Sequence, residues 1–331
     1  AGEMGTTVTL TWTVPDPDGT GPCQGSSDQV AITFNPAATA NANIDQVICA
    51  GSTVTLAGSV GGSATSGTWT SSGTGTFSPG VTTLTAVYTP SAADITAGTV
   101  TLTLTTNDPA GPCPAVSDQM VITINPAPTI TLGANPTVCQ GTTSASLPYT
   151  ATTGTPNQYS IDYNAAANTA GFVDVTNATL AASPITLVVP AGVAAGTYNA
   201  TLTVRNSTTG CVSSVYNITV TVNPVATANA NIDQTICAGS TVTLAGSVGG
   251  GATSGTWTSS GTGTFSPGAT TLTAVYTPSA ADITAGTVTL TLTTNDPAGP
   301  CPAVSDQMVI TINPAATANA NIDQVICAGS T

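Results

Sequence analysis

The stretch Ala38–Val60, ATANANIDQVICAGSTVTLAGSV, returns at Ala226–Val248 with one change, Val47 to Thr235, and starts again at Ala316. A diverged relative, ITLGANPTVCQGTTSASL, fills Ile130–Leu147. Each copy follows an Asn-Pro step and opens a unit of roughly ninety to a hundred residues, so the fold must tile at that period. The 331 residues divide into three complete units, 37–126, 127–224 and 225–314. Residues 1–36 read as the C-terminal part of an earlier unit and 315–331 as the N-terminal part of a later one, a window on a longer protein. Across an offset of 188, the third complete unit differs from the first at four of 90 positions: Ala37/Val225, Val47/Thr235, Ser63/Gly251 and Val81/Ala269. The middle unit is diverged and longer. Duplication of a two-unit block explains the near-identity, and alternating unlike neighbours also limits domain swapping.

Within a unit the pattern is β. Thr6–Val14 (TTVTLTWTV) and Gln29–Asn35 (QVAITFN) alternate apolar residues with polar ones, the period of a half-buried strand. The pair recurs at Thr99–Thr105 with Met120–Asn125, at Thr287–Thr293 with Met308–Asn313, and at Tyr198–Val204 with Tyr216–Asn223. These are expected to be the last two strands of each unit, joined as a hairpin. Ahead of them the first complete unit offers a broken strand over Asn41–Ile48 and strands over Thr53–Val60, Gly67–Ser71, Thr74–Ser78 and Thr83–Thr89. Seven or so short strands separated by Gly, Pro and Ser turns describe an antiparallel sandwich. Helical period is confined to about one turn around Ser91–Ile95. At Asn35-Pro36, Asn125-Pro126, Asn223-Pro224 and Asn313-Pro314 one unit passes into the next without a Gly/Ser tether. Proline fixes φ and stiffens such a joint, which predicts sandwiches arranged end to end as a rod.

Composition narrows the partners. Charged residues are 5% of the chain, 15 of them acidic against one basic residue, Arg205. Nucleic acid needs Lys and Arg to displace counterions, and anionic membrane surfaces need them too, so both partners are disfavoured. No apolar run is long enough to span a bilayer. A hydrophobic fraction of 40% with regular alternation argues against disorder. Without Lys and with a single Arg, the chain gives trypsin-like proteases almost nothing to cut, which suits an exposed extracellular life.

The run Ile44–Gly58, IDQVICAGSTVTLAG, resembles the opening of the PKD-like and immunoglobulin-like repeats of giant bacterial cell-surface adhesins, including those of gliding bacteria exported by the type IX secretion system. The hairpin Thr101–Pro126, with Cys113 and its closing VITINP, is similar to the same family, as is Val204–Pro224 with Gly210-Cys211. The PKD signature carries an acidic Trp-Asp-x-Gly-Asp stretch on its third strand. This chain has TWTSSGTG there (Thr68–Gly75), which makes Ig-like the closer label. The resemblance implies a cell-surface stalk or adhesin rather than an enzyme.

Eight cysteines in such a chain read as disulfides rather than metal ligands, since there is no His and no C-x-x-C pair. Each unit has one just before its second strand (Cys49, Cys139, Cys237, Cys327) and one in its final hairpin loop (Cys23, Cys113, Cys211, Cys301). Pairing within units would give Cys49–Cys113, Cys139–Cys211 and Cys237–Cys301. In an Ig-like sandwich, however, those two loops lie at opposite poles, separated by a strand of roughly 30 Å, whereas a disulfide needs Cα atoms within about 7 Å. Units stacked end to end bring the opening loop of one to the hairpin loop of the next, which gives Cys49–Cys211 and Cys139–Cys301. The other four cysteines would then bond units outside the window or at its edges. Both schemes stay open at this level. A pairing at the constant 26-residue spacing (Cys23 with Cys49, for example) joins the most distant poles and is rejected.

Asp16-Pro17-Asp18-Gly19 offers Asp16 and Asp18 as calcium ligands, although an ordinary Asx turn accounts for them better. Asp45, Asp233 and Asp323 lie beside the unit junctions as solvated or capping residues. Trp69 and Trp257 fall where a sandwich buries a large aromatic, Tyr88 and Tyr276 should pin the edge of the core, and Asp94 and Asp282 should cap the SAADITAG turns. Sugar stacking on the tryptophans is the functional alternative. Catalysis has no His, no Lys and no distinctive Ser or carboxylate pair to work with, and no cofactor is implied. The expected function is a structural stalk of a secreted surface adhesin or filament at the cell surface. Its partners would be neighbouring repeats of the same chain, with a surface polysaccharide or protein bound through regions outside the window. A carbohydrate- or protein-binding array and a laterally associating extracellular fibre subunit are the alternatives.

Overall fold

Threonine alternating with aliphatic residues makes the longest strands, and each such pair forms an antiparallel hairpin. The computed structural model describes residues 5–22, 24–108, 113–297 and 299–319. In it β1 (Thr7–Val14) pairs with β2 (Ser26–Thr33). The first complete repeat contributes β3 (Thr39–Asn41), β4 (Gln46–Cys49), β5 (Val54–Thr55), β6 (Ser59–Gly61), β7 (Gly67–Ser71), β8 (Thr76–Ser78), β9 (Val87–Thr89), helix α1 (Ala92–Ala97), β10 (Thr99–Thr106) and β11 (Ser117–Asn125). One sheet has the order β4-β11-β10-β7 and the other β5-β9-β8, with β3 and β6 as a separate pair. The apolar sides of β10 and β11 (Val100, Leu102, Leu104, Met120, Ile122, Ile124) meet Val54, Leu56, Trp69, Ala86 and Tyr88 in one buried cluster. The threonines between them stay toward water, so strand period alone sorts the two faces.

The opening strand is broken, as expected, and the strand expected over Thr53–Val60 is divided as well. The opening strand breaks at Asn43, which takes φ 74°, so β3 pairs with β6 while β4 crosses to run parallel with β11. Two carboxylates hold the crossing: Asp118 accepts from the Ala42 N–H and Asp45 from the Val121 N–H, each at 2.8 Å. The second strand is interrupted between β5 and β6, where Gly58 lies against the Trp69 ring and a Cβ would collide with it. The single helical turn of the sequence reading is a six-residue helix. Ser91 and Asp94 form a reciprocal capping box at its start, and Gly98 closes it with φ 75°.

The middle repeat contributes β12 (Thr129–Leu132), β13 (Thr137–Cys139), β14 (Ser144–Leu147), β15 (Tyr149–Thr153), β16 (Gln158–Tyr163), helix α2 (Ala165–Thr169), β17 (Val175–Thr179), β18 (Ile185–Val188), β19 (Gly196–Arg205) and β20 (Tyr216–Asn223). Its larger sheet has the order β13-β20-β19-β16-β17, and β14 pairs with β18. It has no tryptophan. Phe172 takes up the aromatic volume, 4.9 Å from the Tyr163 ring and 4.7 Å from that of Tyr198. The sequence reading missed α2; Asn164 caps it by accepting from the Ala167 N–H at 2.8 Å.

The third repeat repeats the first: β21 (Ala226–Asn229), β22 (Gln234–Cys237), β23 (Val242–Thr243), β24 (Ser247–Gly250), β25 (Gly255–Ser259), β26 (Thr264–Ser266), β27 (Val275–Thr277), helix α3 (Ala280–Ala285), β28 (Thr287–Thr294) and β29 (Ser305–Asn313). Its core is the counterpart of the first, centred on Trp257, Tyr276, Leu290 and Leu292. The chain separates into two compact units. One comprises Ala1–Ile130, Ala151–Tyr159 and Thr203–Ser214; the other comprises Thr131–Thr150, Ser160–Leu202 and Val215–Thr331.

Candidate functional site: disulfides between consecutive repeats

The opening strand of a repeat ends on its cysteine. In the first unit β4 pairs parallel with β11 so that Cys49 stands opposite Asn125, the asparagine of the Asn-Pro joint. The Ala50 N–H donates to the Asn125 carbonyl at 2.8 Å, and the chain turns away through Ser52 N–H to the Cys49 carbonyl at 3.0 Å, with Gly51 at φ 90°. Cys49 is thereby fixed level with the exit of its own repeat.

Its partner lies in the β19–β20 loop. Asn206 organises that loop. Its side-chain oxygen accepts from the Thr208 and Thr209 N–H groups at 2.9 and 3.2 Å, while its amide donates to the Gly154 carbonyl at 3.1 Å and to Thr155 Oγ1 at 3.0 Å. Asn157 adds two bonds to Ser207, at 2.8 and 2.9 Å. Gly210, at φ 77°, lets the chain return, and the Asn206 N–H closes the loop onto the Cys211 carbonyl at 2.9 Å. Cys211 is fully buried and bonded to Cys49, with Cα atoms 5.5 Å apart.

The second unit repeats the arrangement with different residues. Cys139 ends β13 opposite Asn223, and the Gln140 N–H donates to the Asn223 carbonyl at 2.8 Å. Cys139 is bonded to Cys301, Cα to Cα 5.3 Å, and the Cys301 sulfur lies 3.9 Å from the same carbonyl. Each bond spans 162 residues, joining the opening strand of one repeat to the hairpin loop of the following one. Cys113 and Cys237 are free thiols, so the bonds Cys49–Cys113, Cys139–Cys211 and Cys237–Cys301 are not formed. Cys23, Cys327 and Asp323 lie outside the described residues. The sequence reading did not single out Asn206 or Asn157; the Asn-Ser-Thr-Thr-Gly run at 206–210, an Asx turn ending in glycine, was the available signal.

The remaining sequence candidates serve the core. Trp69 and Trp257 are buried, and their indole N–H groups donate to the Leu84 and Leu272 carbonyls at 3.2 Å. Tyr88 is wholly buried and joins a polar chain. Its hydroxyl meets Ser71 Oγ at 2.9 Å and donates to Asp94 at 2.8 Å; the same carboxylate accepts from the Ser91 N–H at 2.9 Å and the Thr74 N–H at 3.0 Å. A Cβ at Gly73 would strike that carboxylate, which is why glycine stands there. Burial pushes the Asp94 carboxyl up, but the bonds from Ser91, Tyr88 and Thr74 outweigh it and hold the group below its ordinary value. Burial raises the Tyr88 phenol, and the Asp94 charge adds to the shift. Tyr276 and Asp282 repeat the pair. The donors to Asp94 come from β9, the Gly73-Thr74 turn and the start of α1, so the carboxylate ties these three segments together.

Asp16 accepts from the Asp18 N–H and Asp18 from the Thr20 N–H, both at 3.4 Å, an Asx-turn arrangement. Among the described residues no group of three His, Cys, Asp or Glu side chains is placed to hold a metal ion. No helix among them is long and apolar enough to cross a membrane.

No protein-family model and no curated protein matches the chain. Solved multidomain structures do. A three-domain I-band fragment of titin, I67–I69, is 13% identical over 86% of this chain and 100% of its own, with a TM-score of 0.43. Mouse cadherin-23 EC22-24 is 12% identical over 85% of this chain and 100% of its own, with a TM-score of 0.32. Drosophila N-cadherin EC1-4 is 10% identical, covering 93% of this chain and 84% of its own, with a TM-score of 0.35.

Proposed function

We propose that this chain is a load-bearing segment in the stalk of a large secreted bacterial surface adhesin or filament, projecting a distal binding region. The observation that carries the reading is the pair of bonds Cys49–Cys211 and Cys139–Cys301. A bond from the opening strand of one repeat to the hairpin loop of the next gives tension a covalent route that bypasses the folded strands between. Disulfides of this kind belong to an oxidising, extracytoplasmic compartment. Proline at each joint and the near absence of Lys and Arg accord with an extended, protease-exposed life. Mapping the non-reduced protein with a protease other than trypsin tests the reading. Peptides joining Cys49 to Cys211 and Cys139 to Cys301 are expected; a Cys49–Cys113 peptide would make the repeats independent beads and remove the argument for load.

A binding role has one observation in its favour. On the middle repeat a cavity of about 330 Å³ has a mostly apolar surface, lined by Tyr163, Ala200 and Ile218 together with Asp162, Asn164, Asn199, Thr201, Asn217 and Thr219. Strands β10 and β28 carry threonines along their corresponding sides. Short amides and a carboxylate suit the hydroxyls of a saccharide. Glycan binding that vanishes in an Asn199→Ala, Asn217→Ala variant would support this second reading; no binding across a broad glycan set would dismiss it.

A further inference from the structure

The four bonded cysteines are not equally placed. Cys211 and Cys301 are 0 and 1% exposed, whereas Cys49 and Cys139 are half-buried. The elements explain the difference. Each opening cysteine ends an edge strand, β4 beside β11 and β13 beside β20, with no strand among the described residues on its outer flank. The residues that follow, Gly51-Ser52-Thr53 and Gly141-Thr142-Thr143, are all exposed. The hairpin cysteines instead lie inside their loops. The Asn206 loop closes on the Cys211 carbonyl, and the Cys211 N–H donates to Thr209 Oγ1 at 3.4 Å. Cys301 keeps its sulfur 3.9 Å from the Asn223 carbonyl. The same contrast thus holds at both bonds, although the residues around them differ.

Thiol–disulfide exchange is a substitution at sulfur: a thiolate attacks one sulfur of the bond, and the other leaves with the electron pair. A cysteine with 0 or 1% of its surface exposed offers a thiolate no approach, so attack falls on the half-buried partner. The leaving sulfur is then the buried one, and its negative charge forms where water does not reach it. The reachable sulfur therefore has the poorer leaving group, and both bonds should exchange slowly while the repeats stay folded.

We propose that Cys49 and Cys139 are the sulfurs through which the two bonds are made and broken, and that their partner is the reactive thiolate of a thiol–disulfide oxidoreductase. In breaking, the partner's sulfur bonds Cys49 Sγ as the Cys49–Cys211 bond opens, and Cys211 leaves as a thiolate and takes up a proton. In making, the Cys49 thiolate attacks the oxidised partner's disulfide, one partner sulfur leaves, and the Cys211 thiolate then displaces the other from Cys49 Sγ. The partner ends as a dithiol, having accepted the two electrons. Cys139 and Cys301 follow the same course. The inference rests on the two bonds and their burial, not on the load-bearing reading.

The test uses the full chain with Cys23, Cys113, Cys237 and Cys327 replaced by serine, so that only the four bonded cysteines remain. Two probes are added in excess to separate samples: a thioredoxin whose resolving cysteine is replaced by serine, and glutathione. Acid stops exchange, and peptic peptides are mapped by mass for the cysteine that carries the adduct. Adducts of both probes are expected on Cys49 and Cys139, about tenfold or more above those on Cys211 and Cys301. In denaturing urea the four should react alike. Adducts chiefly on Cys211 or Cys301, equal amounts on all four in the folded chain, or the same preference kept in urea would each overturn the proposal. Glutathione adducts without thioredoxin adducts would overturn the assignment of an oxidoreductase as the partner.

Discussion

At the residue scale the buried Tyr88–Asp94 pair and its copy Tyr276–Asp282 are the places where chemistry and stability meet. Asp94 and Asp282 are 3% exposed, and their charge survives burial because backbone and hydroxyl donors surround it. Their folded-state pKa values lie below the ordinary carboxylate value. The stability they contribute is therefore present above about pH 4 and is lost as pH falls through the depressed folded value. Tyr88 and Tyr276 run the other way: with the phenol raised, their contribution holds below about pH 10 and is lost as pH climbs through the folded value. An Asp94→Asn, Asp282→Asn variant should lose about 1–3 kcal/mol per repeat at pH 7 and show a flatter acid limb, checked by urea melts from pH 7 to pH 3. Tyr88→Phe should cost about 1–2 kcal/mol at pH 7 in the same melts, because Asp94 keeps its backbone donors and loses only the phenol. The sequence identified Tyr88 as core and Asp94 as a cap. That one hydroxyl joins them was hidden, since the partners lie on separate elements and meet only when β9 and α1 pack together.

At the element scale, alternation was enough to place the long hairpins, because a strand with one buried face must keep period two. It was not enough to place the interruptions of the shorter strands that open each repeat. The break at Asn43 follows from a left-handed backbone and from two carboxylates reaching in from Asp45 and Asp118, and only Asp45 is local in sequence. Helix α2 escaped notice because five residues are too few to show a helical period, although its Asn164 cap was visible. The cysteine pairing depends on these details. Spacing leaves two schemes open; what separates them is that β4 runs parallel to β11 and delivers Cys49 to the exit of its repeat. Loosening that strand should therefore loosen the bond. Asp45→Ala removes the tether to the Val121 N–H, and reduction of Cys49–Cys211 by dithiothreitol is expected to quicken about three- to tenfold, while Cys139–Cys301 keeps its rate. Equal rates in the variant and the parent would mean that β4 does not control access to the bond.

At the scale of the whole molecule, the array was legible from its repeats, and the tandem sandwiches follow from them. The consequence of the bonds is topological. Cys139 precedes Cys211 in the chain, so the two disulfide loops overlap. Between Cys49 and Cys301, 252 residues apart, the shortest covalent path crosses to Cys211, returns through the 72 residues to Cys139 and crosses again. A chain pulled at its ends can thus pay out only a fraction of its middle unless a sulfur bond breaks. Single-molecule pulling between the termini, with and without reductant, measures this directly. The account predicts that reduction releases roughly 60 nm of additional contour length, the extended length of the residues held behind the two bonds. Equal contour lengths in both conditions, with every repeat extending fully while oxidised, would contradict it.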